Sequence, residues 1–216
     1  MSTITAVFWD FGGVVTSSPF EAFRTYEEQR GLPRDFIRSV NSRNPDDNAW
    51  AKLERSDVDK ATFSRLFHEE SSALGHPVPG EDVLALLSGT VRPEMVQALK
   101  RLKSAGLKLA CLTNNVLTGE GPGMAADAGR AREIAQVMTL FDAIVESSKV
   151  GVRKPEPRFY QIACELVGVA PTEVVFLDDL GINLKPARAM GMQTIKVMAP
   201  DQALSELEAV TGHALG

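Results

Sequence analysis

The chain has 216 residues, 44% of them hydrophobic and 24% charged, with a formal net charge of −5. That length suits one α/β domain with a sizeable core, or a core carrying a small insertion. The acidic balance, with no basic block, excludes the electrostatic footprint of a nucleic-acid binder but leaves room for a small phosphorylated ligand.

The run Ile4–Trp9 is apolar, β-branched and aromatic and predicts a buried first strand. It stops at Asp10 and, two residues on, at Gly12-Gly13. Glycines just past a strand let successive N–H groups converge into an anion nest. A carboxylate beside such a nest could attack phosphorus, although an Asp-containing turn is the plainer reading of this stretch alone.

From about Ser18 to Leu87 the pattern is amphipathic and helical, interrupted by Pro33, Pro45, Pro77 and Pro79. Helices are expected over Phe20–Arg30, Asp35–Arg43, Asp46–Arg55, Lys60–Leu74 and Glu81–Leu87, with Pro19 and Asp59 as start signals. No strand-like run occurs there, so the segment is expected to sit outside the sheet.

A helix over Arg92–Ala105, closed by Gly106, leads into a second strand, Leu107–Leu112, ending at Thr113-Asn114-Asn115. Thr118–Gly123 reads as a flexible loop, without the spacing of a dinucleotide fingerprint, and an Ala-rich helix follows to about Leu140. Ala143–Glu146 is a short third strand, and the loop Ser147–Pro157 carries Lys154. Helix Glu156–Val167, strand Glu173–Leu177 ending at Asp178-Asp179, helix Asn183–Met190, strand Gln193–Val197 and helix Gln202–Val210 complete the chain. Alternating strands and helices imply a parallel sheet covered on both faces.

The two cysteines, Cys111 and Cys164, fall in apolar and helical patterns and read as buried small hydrophobes in a reducing cytoplasm. With no basic leader and no long apolar segment, a cytoplasmic protein without membrane association is expected.

In open parallel sheets ligands bind beyond the carboxyl ends of the strands, so Asp10, Thr113, Lys154 and Asp178-Asp179 should meet in one crevice. Their chemistry is coherent. Asp10 and Asp179 are hard oxygen ligands of the kind that hold Mg²⁺ with several waters. A carboxylate beside a cation stays ionised and can form an aspartyl-phosphate. Lys154 would offset charge, while the Thr113 hydroxyl and the Asn114 amide would donate to phosphoryl oxygens.

The sequence resembles the haloacid dehalogenase (HAD)-like hydrolase superfamily of phosphatases and phosphotransferases over nearly its whole length. The carrying motifs are Asp10-Phe11-Gly12-Gly13-Val14-Val15, Leu112-Thr113-Asn114, Arg153-Lys154-Pro155-Glu156-Pro157 and Phe176-Leu177-Asp178-Asp179-Leu180-Gly181-Ile182-Asn183. The run Val174–Met192 is similar to the N-terminal phosphatase domain of soluble epoxide hydrolases and to the corresponding domain fused to some acyl-CoA dehydrogenases. The resemblance implies a Rossmann-like core over residues 1–17 and 88–216, with a helical cap, 18–87, inserted after the first strand. It also implies Asp10 as nucleophile, Lys154 as its catalytic partner, and Thr113, Asn114 and Lys154 as phosphate ligands. Asp10, Asp179, Asp178 and the Gly12 carbonyl would hold Mg²⁺. The substrate would be a small phosphorylated metabolite, and the protein a monomer or homodimer. No hydrolase-fold domain for epoxides is expected to be attached.

One position departs from the family pattern. Most family phosphatases have Asp-x-Asp in the first motif, the second Asp being general acid and base, and here that position is Gly12. General acid–base catalysis is typically worth about 10²–10⁴-fold. Two competing readings follow: a slow or non-catalytic phosphate- or partner-binding module, and a haloacid dehalogenase, whose chemistry needs no metal. Phe20, Arg24, Trp50 and His68 are candidates to line a closed site, and His68, His76 and His213 show no ligand spacing.

Overall fold

A computed structural model of the chain describes residues 3–87, 89–115 and 128–215. Five strands form one sheet: β1 (Ala6–Trp9), β2 (Lys108–Thr113), β3 (Ala143–Glu146), β4 (Val174–Asp178) and β5 (Gln193–Lys196), in the order β3-β2-β1-β4-β5. Every pairing is parallel, with Phe8 level with both Ala110 and Phe176. A parallel sheet is covered on both faces, which is why its inner strands read as unbroken apolar runs.

The period of two divides these strands between two cores. Val7, Trp9, Leu109, Cys111, Val175 and Leu177 face one way. They pack on α6 (Pro93–Ser104), α7 (Ala128–Met138) and α11 (Pro200–Thr211) through Leu99, Val137 and Leu207. Ala6, Phe8, Ala110, Leu112, Val174 and Phe176 face the other way, onto Phe159 and Ala163 of α9 (Pro157–Val167) and Leu184 of α10 (Gly181–Ala189). Cys111 is fully buried and Cys164 nearly so, and burial pushes both thiols up, Cys164 to about 11.

Between β1 and α6 the helices α1 (Pro19–Arg30), α2 (Phe36–Asn41), α3 (Ala49–Glu54), α4 (Lys60–Ser72) and α5 (Gly80–Ala85) gather around a third cluster. Its members include Phe23, Ile37, Leu53, Phe63, Phe67 and Val83, and it contains no residue of the sheet. The chain leaves and re-enters the core side by side: Ser17 N–H donates to the Thr90 carbonyl at 2.8 Å, Arg92 N–H to Val15 at 2.9 Å, and Thr16 bridges Val91 antiparallel.

Pro19 opens α1 behind the cap Ser18, and Asp59 caps α4 through Thr62 N–H at 2.8 Å, as the start signals predict. Asp35 does not start α2. It adopts a left-handed conformation (φ 59°), and the buried Glu27 of α1 takes over the cap, accepting from Asp35 N–H and Ile37 N–H at 2.9 Å each. Asp46 likewise precedes its helix, which Asn48 caps through Ala51 N–H at 2.8 Å.

The stretch expected as open loop after β3 begins instead with one helical turn, α8 (Ser147–Val150), ended by Gly151 at φ 70°. The loop expected at Thr118–Gly123 lies outside the described residues. No helix among the described residues is long and apolar enough to cross a membrane.

Candidate active site

The order of strands reverses between β1 and β4, and both strands end in carboxylates: Asp10 follows β1, Asp178 closes β4, and Asp179 comes next. This is where the topology opens a crevice. Past Asp10 the backbone makes a wide turn, Phe11–Val15, closed by Thr16 N–H donating to the Phe11 carbonyl at 3.0 Å. The Asp10 side chain caps that turn, Oδ1 accepting from Phe11 N–H at 2.7 Å.

The two glycines of the turn differ. Gly13 stands at φ 82°, and a Cβ built there would lie 2.2 Å from Asp179 Oδ2, so neither backbone nor space admits a side chain. Gly12, at φ −70° and ψ 127°, has ordinary L-residue geometry, and a Cβ there meets nothing within 4 Å. Arg92, at the return crossing, braces the turn by donating from Nη1 to the Gly13 carbonyl at 3.2 Å.

Lys154 enters this pocket from the loop after β3. Its side chain is 1% exposed, and Nζ sits 2.8 Å from Asp10 Oδ1 and 2.8 Å from Asp178 Oδ2. Burial alone would drive the ammonium to its neutral form. The carboxylates of Asp10 and Asp178 outweigh it and hold the Lys154 pKa above its ordinary value.

Asp178 is wholly buried and fully engaged. Besides Lys154 it accepts from Leu180 N–H at 2.8 Å and from Asn183 Nδ2 at 3.0 Å to each oxygen. Asn183 is held in turn by Tyr160, whose hydroxyl donates to its carbonyl at 2.6 Å. Asp179 carries a looser contact, the Ser18 hydroxyl at 3.5 Å from Oδ2.

Asp10, Asp178 and Asp179 each offer a carboxylate oxygen within 4.8 Å of the others. One lysine does not balance three carboxylates. Burial, and then the charges of Asp178 and Asp179, raise the Asp10 carboxyl well above its ordinary value despite Lys154. Burial and the Asp178 charge push Asp179 up to about 6. Carboxylates that resist ionisation together, with an accessible hard oxygen on Asp179, are a donor set fitted to a small divalent cation.

Thr113 is buried at the end of β2, on the same edge. Asn114 lies against the lysine loop. Its side chain is spent on the Lys154 backbone: Lys154 N–H donates to Oδ1 at 2.8 Å, and Nδ2 donates to the Lys154 carbonyl at 2.9 Å. A side-chain amide committed at both ends fixes the lysine loop. Among the suggested lining residues, Arg24 and His68 are exposed, and Phe20 packs on Phe23 within the helical cluster. Trp50 lies beside Glu54.

Fold and site together define a doubly wound α/β hydrolase with its chemistry at the switch point. Residues 4–191 match the haloacid dehalogenase-like hydrolase family, and the chain belongs to it. It is 35% identical over 222 residues to bifunctional epoxide hydrolase 2 of Mus musculus, covering 94% of this chain and 38% of that protein. It is 33% identical to acyl-CoA dehydrogenase family member 10 of Mus musculus, of which it spans 19%. The chain thus spans well under half the length of these mammalian relatives. Phosphatase MT3486 of Mycobacterium tuberculosis is 30% identical over 203 residues, with 90% of this chain and 88% of that one covered. Among solved structures, a HAD family enzyme of Bacteroides thetaiotaomicron in complex with magnesium and inorganic phosphate shares the fold. Its TM-score is 0.60 at 20% identity, covering 91% of this chain and 95% of that one.

Proposed function

We propose that the protein is a Mg²⁺-dependent phosphatase that acts on a small phosphorylated metabolite through an aspartyl-phosphate on Asp10. The observation that carries this reading is the Lys154 ammonium 2.8 Å from both Asp10 and Asp178, beside a third carboxylate. The relative named a phosphatase, matched over most of both chains, supports the reaction class, and the magnesium and phosphate of the structural neighbour support the ligand pair.

The Asp10 and Asp179 carboxylates and the Gly12 carbonyl would hold magnesium, with Asp178, already engaged by Lys154 and Asn183, completing the acidic set. When bound, the ion supplies positive charge that keeps Asp10 ionised and lets a phosphoryl dianion enter. An Asp10 oxygen attacks phosphorus, the bond from phosphorus to the leaving oxygen breaks, and its electron pair departs with that oxygen. Water then attacks phosphorus and frees Asp10 as carboxylate. Lys154 and the Thr113 hydroxyl steady the phosphoryl oxygens, and Asn114 keeps the lysine loop in place. Residues 18–87 act as a cap over this edge and residues 1–17 with 88–216 as the core.

Gly12 brings no acid to protonate the leaving oxygen. The enzyme therefore favours leaving groups that depart as anions, such as aryl, acyl or anomeric phosphates, and its rate depends steeply on leaving-group pKa. The same glycine favours a second reading, a phosphate-binding module of negligible turnover. Haloacid dehalogenation leaves the acidic cluster around Asp179 without a role. Turnover of p-nitrophenyl phosphate with Mg²⁺, abolished by EDTA and by Asp10→Asn, is the deciding test. Turnover indifferent to EDTA would remove the metal-dependent mechanism, and none at all would leave the binding module.

A further inference from the structure

The helical unit touches the loop that carries Lys154 through residues near the end of α3. The Glu54 side chain, 5% exposed, pairs with Nε of Arg153, itself 15% exposed. Arg153 Nη1 donates to the Pro45 carbonyl at 3.0 Å, and the Ser56 hydroxyl donates to the Ser148 carbonyl at 3.0 Å. The same Glu54 carboxylate lies 3.5 Å from Asn114 Nδ2. Asn114 grips both backbone groups of Lys154, and Lys154 Nζ bridges Asp10 and Asp178.

A buried ion pair contributes little net stability, because desolvating both charges offsets most of their attraction, yet it tolerates only one geometry. Such a pair works as a reversible latch rather than as a glue. Separation lets Glu54 and Arg153 each regain water, so the unit can lift without a large loss. Seating it again restores one arrangement only. Glu54 and Arg153 adjoin Asn114 and Lys154 directly, so that arrangement is also the one in which the lysine loop is braced.

We infer that Glu54 is a positioning residue whose docking on Arg153 and Asn114 couples seating of the helical unit to the placement of Lys154. The docking half stands on the contacts alone, and the turnover half rests on the phosphatase reading. The full chain is compared with Glu54→Gln and, from the other side of the contact, Arg153→Gln. By hydrogen-exchange mass spectrometry, amides of residues 49–56 and 147–156 should exchange about tenfold faster in either variant, while those of β1 and β4 keep their rates. With p-nitrophenyl phosphate and Mg²⁺, kcat should fall about tenfold and KM change less than about threefold, since the lost interaction acts after substrate is bound.

Losses in the double variant should be less than additive, because the shared contact is lost only once. Unchanged exchange overturns the latch. Faster exchange with unaltered kcat, or additive losses in the double variant, overturns the coupling. A wild-type chain inert towards p-nitrophenyl phosphate counts against the phosphatase reading instead, and the exchange rates then decide the docking by themselves.

Discussion

A methyl group on Gly13 would fall 2.2 Å from Asp179 Oδ2 and 2.6 Å from its Cγ. The turn after β1 and the acidic pair after β4 are therefore packed backbone against side chain. Gly13→Ala must displace Asp179 and also hold a left-handed residue, a conformation that costs about 1–2 kcal/mol outside glycine. The variant should fold with a lower melting temperature and lose at least about tenfold in apparent Mg²⁺ affinity, since the displaced carboxylate is a proposed ligand. Magnesium titration followed by calorimetry reads the second effect, and an unchanged affinity would remove Asp179 from the ligand set.

Gly12 is the opposite case. With ordinary dihedrals and no atom within 4 Å of a built Cβ, Gly12→Asp should meet no steric obstacle. If the missing acid limits the enzyme, the variant gains on alkyl phosphates by roughly 10-fold or more, part of the 10²–10⁴ that acid–base catalysis supplies. It should gain little on p-nitrophenyl phosphate, whose leaving group needs no proton. Equal gains on both substrates would mean that the added carboxylate acts through the metal instead.

Removing the cation from between two buried carboxylates is costly. Lys154→Met leaves Asp10 and Asp178 facing each other without a counter-charge, and breaking a buried pair in this way costs about 3–5 kcal/mol. For a chain of this size that is a fall of roughly 10 °C in melting temperature. The fall should be smaller at pH 5 than at pH 8, because protonation of Asp10, whose carboxyl burial holds well above its ordinary value, relieves the repulsion. A fall independent of pH would point to lost packing of the lysine stem.

The metal-free protein should lose stability as pH rises through the range set by Asp179. Its carboxyl titrates near pH 6 when folded and near 3.8 ordinarily, so the folded state holds that proton more tightly. The resulting stabilisation is complete below about pH 4 and is withdrawn between about pH 4 and 6, with Asp10 acting in the same direction. Bound at the proposed site, magnesium should reverse this by supplying the charge the site lacks. At a concentration about 100-fold above its dissociation constant it should add roughly 2.7 kcal/mol near pH 7.5 and distinctly less at pH 5. Melting curves with Mg²⁺ and with EDTA at the two pH values give the comparison. An increment that does not grow with pH would show that the acidic cluster is not where the ion binds.

Sequence patterning carried far where physics is local. Buried parallel strands read as apolar runs, and the residues that end them, Asp10, Thr113 and Asp178, lie where a parallel sheet gathers its strand termini. Lys154 was legible too, as a cation in the loop after the third strand. The division of labour between Asp178 and Asp179 was not, because neighbouring residues at a strand end point to opposite sides and only the packed structure shows which is engaged by Lys154 and Asn183. Asn183, one turn past Asp178, carries no mark in the sequence of the carboxylate it holds.

Contacts between distant segments stayed hidden for the same reason. Asn114 and Lys154 are 40 positions apart, and Glu54 meets Arg153 from another hydrophobic cluster. Glu27 capping α2 from within α1 left an ordinary exposed-looking glutamate in the sequence.

The paired crossing at Ser17 and Thr90 has a wider consequence. The two ends of the helical insert lie within one hydrogen bond of each other, so a short bridge could join them without breaking a strand of the sheet. An insert attached at one spot can be exchanged by recombination as a cassette. If the insert is the proposed cap, reaction chemistry and choice of substrate can then evolve at separate paces in one polypeptide.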